Sequence, residues 1–133
     1  MHAYEEKFFK IVIVDENVTF RNNLATRLRM QGFHVEFATG GFHLLNTLEK
    51  HWDFNLIILH ENMQDMPAEE MISLVRIHRN KAELPILFIS ATSTEEEICE
   101  MVLNGANEYI VQPNNFQPIV DRAKKYFTLL KNS

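Results

Sequence analysis

Cysteine is nearly absent from this sequence, and its basic residues do not cluster. Cys99 is the single cysteine among 133 residues, which excludes an internal disulfide. Its place in a stripe of apolar residues predicts a packed thiol rather than a reactive one. The net charge is −5, and the largest basic cluster is the pair Lys124 and Lys125. We therefore expect no direct contact with nucleic acid.

Long apolar stretches are also missing. No apolar run approaches the roughly 20 residues that a membrane-spanning helix needs. Residues 1–7 lack the apolar core of a signal peptide. These two absences lead us to expect a cytoplasmic protein without a membrane partner.

The sequence does contain enough apolar residues for one folded domain. Hydrophobic residues make up 46% of the chain and charged residues 23%, which is ordinary for a globular protein and argues against disorder. A chain of this length is expected to form one domain. We predict an N-terminal tail over residues 1–8 and a single domain over residues 9–131.

One apolar run organises the rest of the sequence. Residues 56–59 read Leu-Ile-Ile-Leu, a pattern typical of a strand that is buried on both faces. His60 and Glu61 follow this run directly. We therefore predict a central strand whose carboxyl end carries polar side chains.

Strand-like runs and helical stripes alternate along the chain. An amphipathic stripe follows each of five predicted strands, which cover residues 8–14, 34–38, 56–59, 86–89 and 108–112. Thr94 and Glu97 have the spacing of a capping box, which marks the start of the fourth helix. Strands and helices in this order form a parallel sheet with helices on both faces. The predicted fold class is α/β, with a doubly wound five-stranded sheet.

Polar side chains stand at the carboxyl ends of four of these strands. Because parallel strands bring those ends to one edge of the sheet, we expect five residues to form one rim there: Asp15, Glu16, His60, Ser90 and Gln112. The first two offer oxygens to a hard cation such as Mg²⁺, and Ser90 can donate a hydrogen bond to an anion. His60 is a poor Mg²⁺ ligand, and Gln112 cannot neutralise charge.

Four short motifs together resemble the receiver domains of response regulators: Val14-Asp15-Glu16, Ser90-Ala91, Gly105-Ala106-Asn107-Glu108-Tyr109 and Gln112-Pro113. The resemblance covers nearly all of residues 9–130 and implies the flavodoxin-like strand order 2-1-3-4-5. It also implies that His60 stands where receivers carry the phosphoacceptor Asp, and that Gln112 stands where they carry a Lys. Tyr109 falls at the position of an aromatic residue whose rotamer reports phosphorylation in the family.

This resemblance implies a stand-alone module of two-component signalling that has lost its acceptor. We interpret the chain as a degenerate receiver, or pseudo-receiver, that is not an enzyme and acts by protein contact without Asp phosphorylation. No cofactor is expected, although Asp15 and Glu16 are weak candidates for binding Mg²⁺. The family's contact surface implies signalling proteins of unknown identity as partners. That surface consists of the fourth helix, fifth strand and fifth helix, and its outward candidates are Glu100, Asn104, Tyr109 and Lys124.

Two other functions stay open at this stage. Asp15, Glu16 and His60 suit a metal or pH sensor, since imidazole with carboxylates binds Zn²⁺ or Mn²⁺ better than Mg²⁺. Alternatively, the chain is an ordinary phosphorelay receiver with a different acceptor, for which Glu61 and Asp65 are the candidates. The conformation of loop 61–67 is not predicted, because Gln64 and Ala68 stand where receivers usually carry Pro and Gly.

Overall fold

Strands and helices alternate along the whole of the computed structural model, which describes residues 5–61, 63–91 and 94–132. In chain order the elements are β1 Lys10–Val14, α1 Val18–Met30, β2 His34–Ala38, α2 Gly41–Lys50, β3 Leu56–His60, α3 Ala68–His78, β4 Ile86–Ser90, α4 Glu95–Asn104, β5 Glu108–Val111 and α5 Gln117–Lys131. A short 3-10 helix, Glu6–Phe8, precedes β1 inside the predicted tail. Residues 1–4 of that tail and position 62 of the loop after β3 lie outside the described residues.

The five strands form one parallel sheet in the order β2-β1-β3-β4-β5. This confirms the predicted order 2-1-3-4-5. β3 lies in the middle, with Val12 of β1 opposite Ile57 on one side and Leu87 of β4 opposite Ile58 on the other. All five β3 residues are buried, as expected for an apolar run covered on both faces.

Two apolar layers cover the sheet, one on each face. On the first face, Leu24 of α1 and Phe127 of α5 pack against strand residues such as Ile58. On the second face, α2, α3 and α4 contribute side chains that include Leu44, Met71 and Met101. Among the described residues, no helix combines the length and apolar character needed to cross a membrane.

Local hydrogen bonds fix the starts of two helices. The Asn17 side chain accepts a hydrogen bond from the backbone nitrogen of Phe20 at 3.0 Å, so α1 begins with a capped end. Thr94 and Glu97 form the predicted capping box, in which the Glu97 backbone donates to the Thr94 hydroxyl at 3.2 Å. The sequence signal for the fourth helix is therefore confirmed.

Arg76 forms hydrogen bonds with Gly105 and Asn107, the first and last residues of the turn before β5. The Arg76 Nε donates to the Gly105 carbonyl at 2.9 Å, and its Nη2 donates to Asn107 Oδ1 at 2.9 Å. Gly105 has a φ of +125°, and a Cβ at that position would lie 2.6 Å from Arg76 Cγ. Only glycine is suited to this turn, which joins α4 to β5 and leads the chain to Tyr109.

Candidate functional site

Asp15 lies directly after β1 and is completely buried. Its Oδ1 accepts a hydrogen bond from the Asn17 backbone nitrogen at 2.8 Å, while its Oδ2 is buried and has no hydrogen-bond partner in the described part of the chain. Burial raises the pKa of Asp15, and the Asn17 bond and the charges of His60 and Arg21 only partly offset this effect. This position thus carries a buried carboxylate oxygen without a hydrogen-bond partner among the described residues.

Glu16 reaches across the rim to the loop after β3. Its Oε1 accepts a hydrogen bond from the Gln64 backbone nitrogen at 3.0 Å. The position that carries Pro in most receivers, according to the resemblance, therefore uses a backbone N–H that Pro does not have. The presence of Gln64 instead of Pro therefore allows a hydrogen bond to Glu16.

His60 ends β3 and is only 4% exposed. Its ring packs edge-on against Phe20, with 5.0 Å between the ring centroids. The His60 Nε2 donates to Gln112 Oε1 at 2.9 Å, and because an amide oxygen can only accept, this nitrogen carries the proton in that contact. His60 is a packed, hydrogen-bonded residue that joins the end of β3 to the segment after β5.

Glu61 is the rim residue whose role the sequence did not reveal. Its carboxylate accepts a hydrogen bond from the Ser90 hydroxyl, and its Oε1 also accepts from the Ala91 backbone nitrogen at 3.0 Å. The sequence did show an acidic side chain directly after the predicted central strand. It did not show that this side chain meets the Ser90 hydroxyl and the Ala91 backbone nitrogen, which lie 29 and 30 residues later in the chain. Glu61 thus brings an anion of the chain itself to the donors at the end of β4.

The Ser90 carbonyl connects these donors to β5. It accepts hydrogen bonds from the Tyr109 hydroxyl at 3.2 Å and from the Gln112 backbone nitrogen at 2.9 Å. The half-buried Tyr109 ring packs against Phe88, with 6.0 Å between centroids. A continuous path of contacts therefore runs from Glu61 through Ser90 to Tyr109.

Asp65, the second candidate for an alternative phosphoacceptor, caps the amino terminus of α2. Its two carboxylate oxygens accept hydrogen bonds from the backbone nitrogens of Gly41 at 3.0 Å and Phe42 at 2.9 Å, which also lower its pKa. A Cβ at Gly40 would lie 2.7 Å from Asp65 Oδ1, so a larger residue there would have to displace the Asp65 carboxylate. The structure assigns Asp65 to capping α2 rather than to the rim.

The described rim residues do not form a multidentate metal site. No group of three or more His, Cys, Asp or Glu side chains suited to a metal ion occurs within residues 5–61, 63–91 and 94–132. Glu16 Oε1 contacts the Gln64 backbone and His60 contacts Gln112, while Asp15 Oδ2 is a buried oxygen without a hydrogen-bond partner among the described residues. Asp15 and Glu16 are the two side chains of this rim that would hold the Mg²⁺ implied by the family resemblance, with water as its further ligands.

The four residues predicted as outward candidates differ in exposure. Glu100 and Lys124 are exposed. Asn104 is half-buried, and its Oδ1 accepts from the Ser73 hydroxyl at 3.4 Å, so it faces α3. Tyr109 turns toward Ser90 and Phe88, as described above. The prediction for Cys99 is wrong, because α4 presents this thiol to solvent.

Comparison with known proteins decides the family. The family model described as the response regulator receiver domain matches residues 11–124. The chain belongs to this family. The receiver domain is 32% identical over 131 residues to the chemotaxis protein CheY-3 of Vibrio cholerae serotype O1, an alignment that covers 98% of this chain and 100% of CheY-3. It is 29% identical over 119 residues to the chemotaxis protein CheY of Pseudomonas aeruginosa, with 89% and 95% of the two chains covered.

Solved structures agree with the fold. The receiver domain superposes on the chemotaxis response regulator CheY4 of Vibrio cholerae with a TM-score of 0.80 and 26% identity, over 89% of this chain and 98% of that one. It superposes on a probable two-component system response regulator/GGDEF domain protein with a TM-score of 0.86 and 23% identity. The chain covers 52% of that longer protein, and this second likeness concerns the fold alone.

Proposed function

We propose that this receiver domain is a degenerate one, which transmits two-component signals by protein contact and without phosphorylation of an Asp. The observation that carries the proposal is the position of Glu61, whose carboxylate accepts hydrogen bonds from the Ser90 hydroxyl and the Ala91 backbone nitrogen. Phosphoryl transfer depends on fixed donors for the transferred oxygens. Here an anion of the chain itself already uses the donors at the end of β4.

The end of β3 supports the same proposal. An acceptor carboxylate at this position would need access to a phosphodonor, whereas His60 is buried against Phe20 and bonded to Gln112. Gln112 brings no positive charge to offset a phosphoryl group. The rim is thus arranged for internal contacts, and in this proposal the module is not an enzyme.

We further propose α4, β5 and α5 as the surface that contacts a signalling protein. Leu103 of α4 is 85% exposed and Val111 of β5 is 63% exposed, and α4 packs against β5. Exposed apolar side chains with charged neighbours such as Glu100 and Lys124 are typical of protein contact sites. The path from Glu61 through Ser90 to Tyr109 ends on β5, one of the three elements of this surface.

Intact-mass measurement after incubation with acetyl phosphate and Mg²⁺ tests the first part of the proposal. We expect no phosphoryl adduct on the wild-type chain. An adduct that disappears in Glu61→Gln or in Asp65→Asn would instead identify a non-standard acceptor and overturn the proposal. A receiver with a complete acceptor site, treated in parallel, controls for the activity of the phosphodonor.

The contact surface is tested separately by capture of partners with the purified chain. Leu103→Glu places a charge on the proposed surface, and Met30→Glu places the same charge on α1, where Met30 is 74% exposed. We expect Leu103→Glu to lose a partner that the wild type and Met30→Glu retain. Equal retention by both variants would place the contact elsewhere.

A pH-responsive role for Asp15, Glu16 and His60 is a second candidate function. The buried Asp15 oxygen without a partner in the described residues favours it, since a carboxylate in this environment gains from taking up a proton. Following the Asp15 carboxyl carbon by NMR across acidic pH would test the role. A titration that leaves the Tyr109 and Gln112 signals unchanged would limit any pH effect to local stability.

A further inference from the structure

A groove on another part of the molecule contains a buried arginine that has no ion-pair partner among the described residues. The groove has a volume of about 500 Å³ and lies between α2 and α3. Its walls are largely apolar, with Leu45 and Leu48 from α2 and Leu74 and Ile77 from α3. The helices run antiparallel to the strands, so their carboxyl ends lie near the amino ends of the strands. The groove is formed by the carboxyl-terminal parts of α2 and α3 and is therefore at the opposite edge of the sheet from the rim.

Arg79 lies at the carboxyl end of α3 and lines this groove. It is only 7% exposed, and its guanidinium packs under the Trp52 indole, 4.9 Å from the ring centroid. The Nε and Nη1 atoms are buried without a hydrogen-bond partner in the described ranges. No acidic side chain of those ranges forms an ion pair with Arg79.

Burying an arginine in this environment is energetically unfavourable unless an anion pairs with its guanidinium. Removing a guanidinium from water without a partner destabilises a protein, and the indole face compensates only in part. The neighbouring apolar walls would desolvate any anion that reached Arg79, which strengthens a charge-assisted bond. The groove therefore combines an apolar surface with one concealed cationic donor.

We propose that the groove between α2 and α3 binds a segment of a partner protein in which an Asp or Glu carboxylate pairs with Arg79 and flanking apolar side chains occupy the walls. Trp52 is 61% exposed, so its indole can turn outward and uncover the guanidinium without disturbing the core. In the complex, the carboxylate takes the place of the ring as the partner of Arg79.

The charges of the groove favour a carboxylate over a phosphate group. Arg79 supplies one positive charge, and Glu49 lines the same groove with a carboxylate. A single carboxylate matches the charge of Arg79, whereas a phosphate dianion would exceed it and would be repelled more strongly by Glu49. The site is distinct from the surface proposed above, because α2 and α3 line it and β5 and α5 do not.

NMR of the ¹⁵N-labelled chain tests the site with two matched probes, phenylbutyrate and its neutral amide. We expect phenylbutyrate to shift the Arg79 Nε–H and Trp52 indole N–H signals and to bind about tenfold more tightly than the amide, as one charge-assisted bond predicts. Arg79→Gln should make the two affinities equal. Arg27→Gln, which changes an exposed arginine on α1, should leave the preference intact.

A stability measurement separates a binding role from a structural one. Arg79→Met keeps an unbranched side chain beneath Trp52 but removes the unpartnered donors. We expect this variant to melt at the same temperature as the wild type or higher, and to show no preference for phenylbutyrate over the amide. A clearly lower melting temperature would identify Arg79 as a structural residue and overturn the proposal.

Three further outcomes would also overturn it. Equal wild-type affinity for phenylbutyrate and the amide would show that the groove recognises apolar groups alone. Shifts with inorganic phosphate but not with phenylbutyrate would assign the site to phosphate groups. Trp52 shifts that grow with protein concentration in the absence of probe would identify the occupant as a second copy of the chain.

Discussion

The imidazole of His60 and the amide of Gln112 are bonded to each other, with 2.9 Å between Nε2 and Oε1. These are the two rim positions at which the sequence differs from what the receiver resemblance implies. Because each side chain provides the hydrogen-bond partner of the other, replacing only one of them leaves the second without its contact. The two positions are therefore expected to act as a coupled pair in mutational experiments.

The first prediction concerns how much the rim contributes to stability. Ile58→Ala should lower the free energy of unfolding by about 2–5 kcal/mol, because Ile58 is 1% exposed and its removal leaves a cavity in the centre of the sheet. His60→Ala should cost less, since the exposed Gln112 amide can bond to water instead. Urea denaturation of both variants provides the comparison. Equal decreases in the free energy of unfolding would show that His60 stabilises the core as much as Ile58 does.

The strands were predictable from the sequence because their burial is visible as apolar composition. The run at residues 56–59 has no polar residue, and all of β3 is buried. The capping box at Thr94 was predictable for a related reason, since its hydrogen bonds join residues three positions apart. Local patterns of this kind determined the number, type and order of the elements.

Contacts between distant residues were not predictable in the same way. Glu61 and Ser90 meet across neighbouring strands, and Asp65 caps a helix that begins 24 residues earlier in the chain. The half-buried Asn104 accepts a hydrogen bond from Ser73 of α3, a contact that the sequence did not reveal because the helical pattern indicates a polar face but not which neighbour it meets. The site residues were brought together by topology, while their contacts depend on side-chain geometry.

The second prediction is that Asp15→Asn stabilises the fold at neutral pH. The folded pKa of Asp15 lies above its unfolded value of 3.8 because burial disfavours the charge. The charged carboxylate therefore lowers stability above the folded pKa, and this penalty disappears as the pH falls to 3.8. Asparagine can still accept the Asn17 bond without carrying the charge, so the gain should be on the order of 1 kcal/mol. Thermal melts across pH should show the gain shrinking in acid.

Asp53→Asn provides a control of opposite sign. A hydrogen bond from Lys10 lowers the pKa of Asp53 below its unfolded value of 3.8. The stabilising effect of this carboxylate is therefore present above pH 3.8 and lost as the pH falls through the folded pKa. Asp53→Asn should be no more stable than the wild type at neutral pH. A gain like that of Asp15→Asn would point to a general effect of net charge.

The third prediction is weak binding of Mg²⁺. Hard cations need several oxygen ligands, and Glu16 already accepts a bond from the Gln64 backbone. Amide signals near Asp15, Glu16 and Glu61 should therefore shift only at high Mg²⁺ concentration in NMR titrations. Trp52 lies before the start of β3, away from the rim, so its fluorescence is not a suitable measurement. Saturation at low Mg²⁺ concentration would contradict the prediction.

The fourth prediction is that His60→Asp combined with Gln112→Lys gives the chain phosphorylation by acetyl phosphate, while either change alone gives less. His60→Asp adds a nucleophile but no fixed cation, and Gln112→Lys adds the cation but no nucleophile. Each single change also breaks the contact between the two side chains. Phosphate-affinity electrophoresis of the wild type, both single variants and the double variant measures the difference.

Glu61 sets a limit on how active the double variant can become. Its carboxylate holds the Ser90 hydroxyl and the Ala91 backbone nitrogen, so a transferred phosphoryl group would have to displace it and would meet its negative charge. Adding Glu61→Ala to the double variant should therefore raise phosphorylation further, whereas Glu16→Ala should lower it by removing a metal oxygen. If the triple variant with Glu61→Ala is as inert as the wild type, the loop after β3 holds the new carboxylate out of line, and the backbone as well as the side chains has diverged from an active receiver.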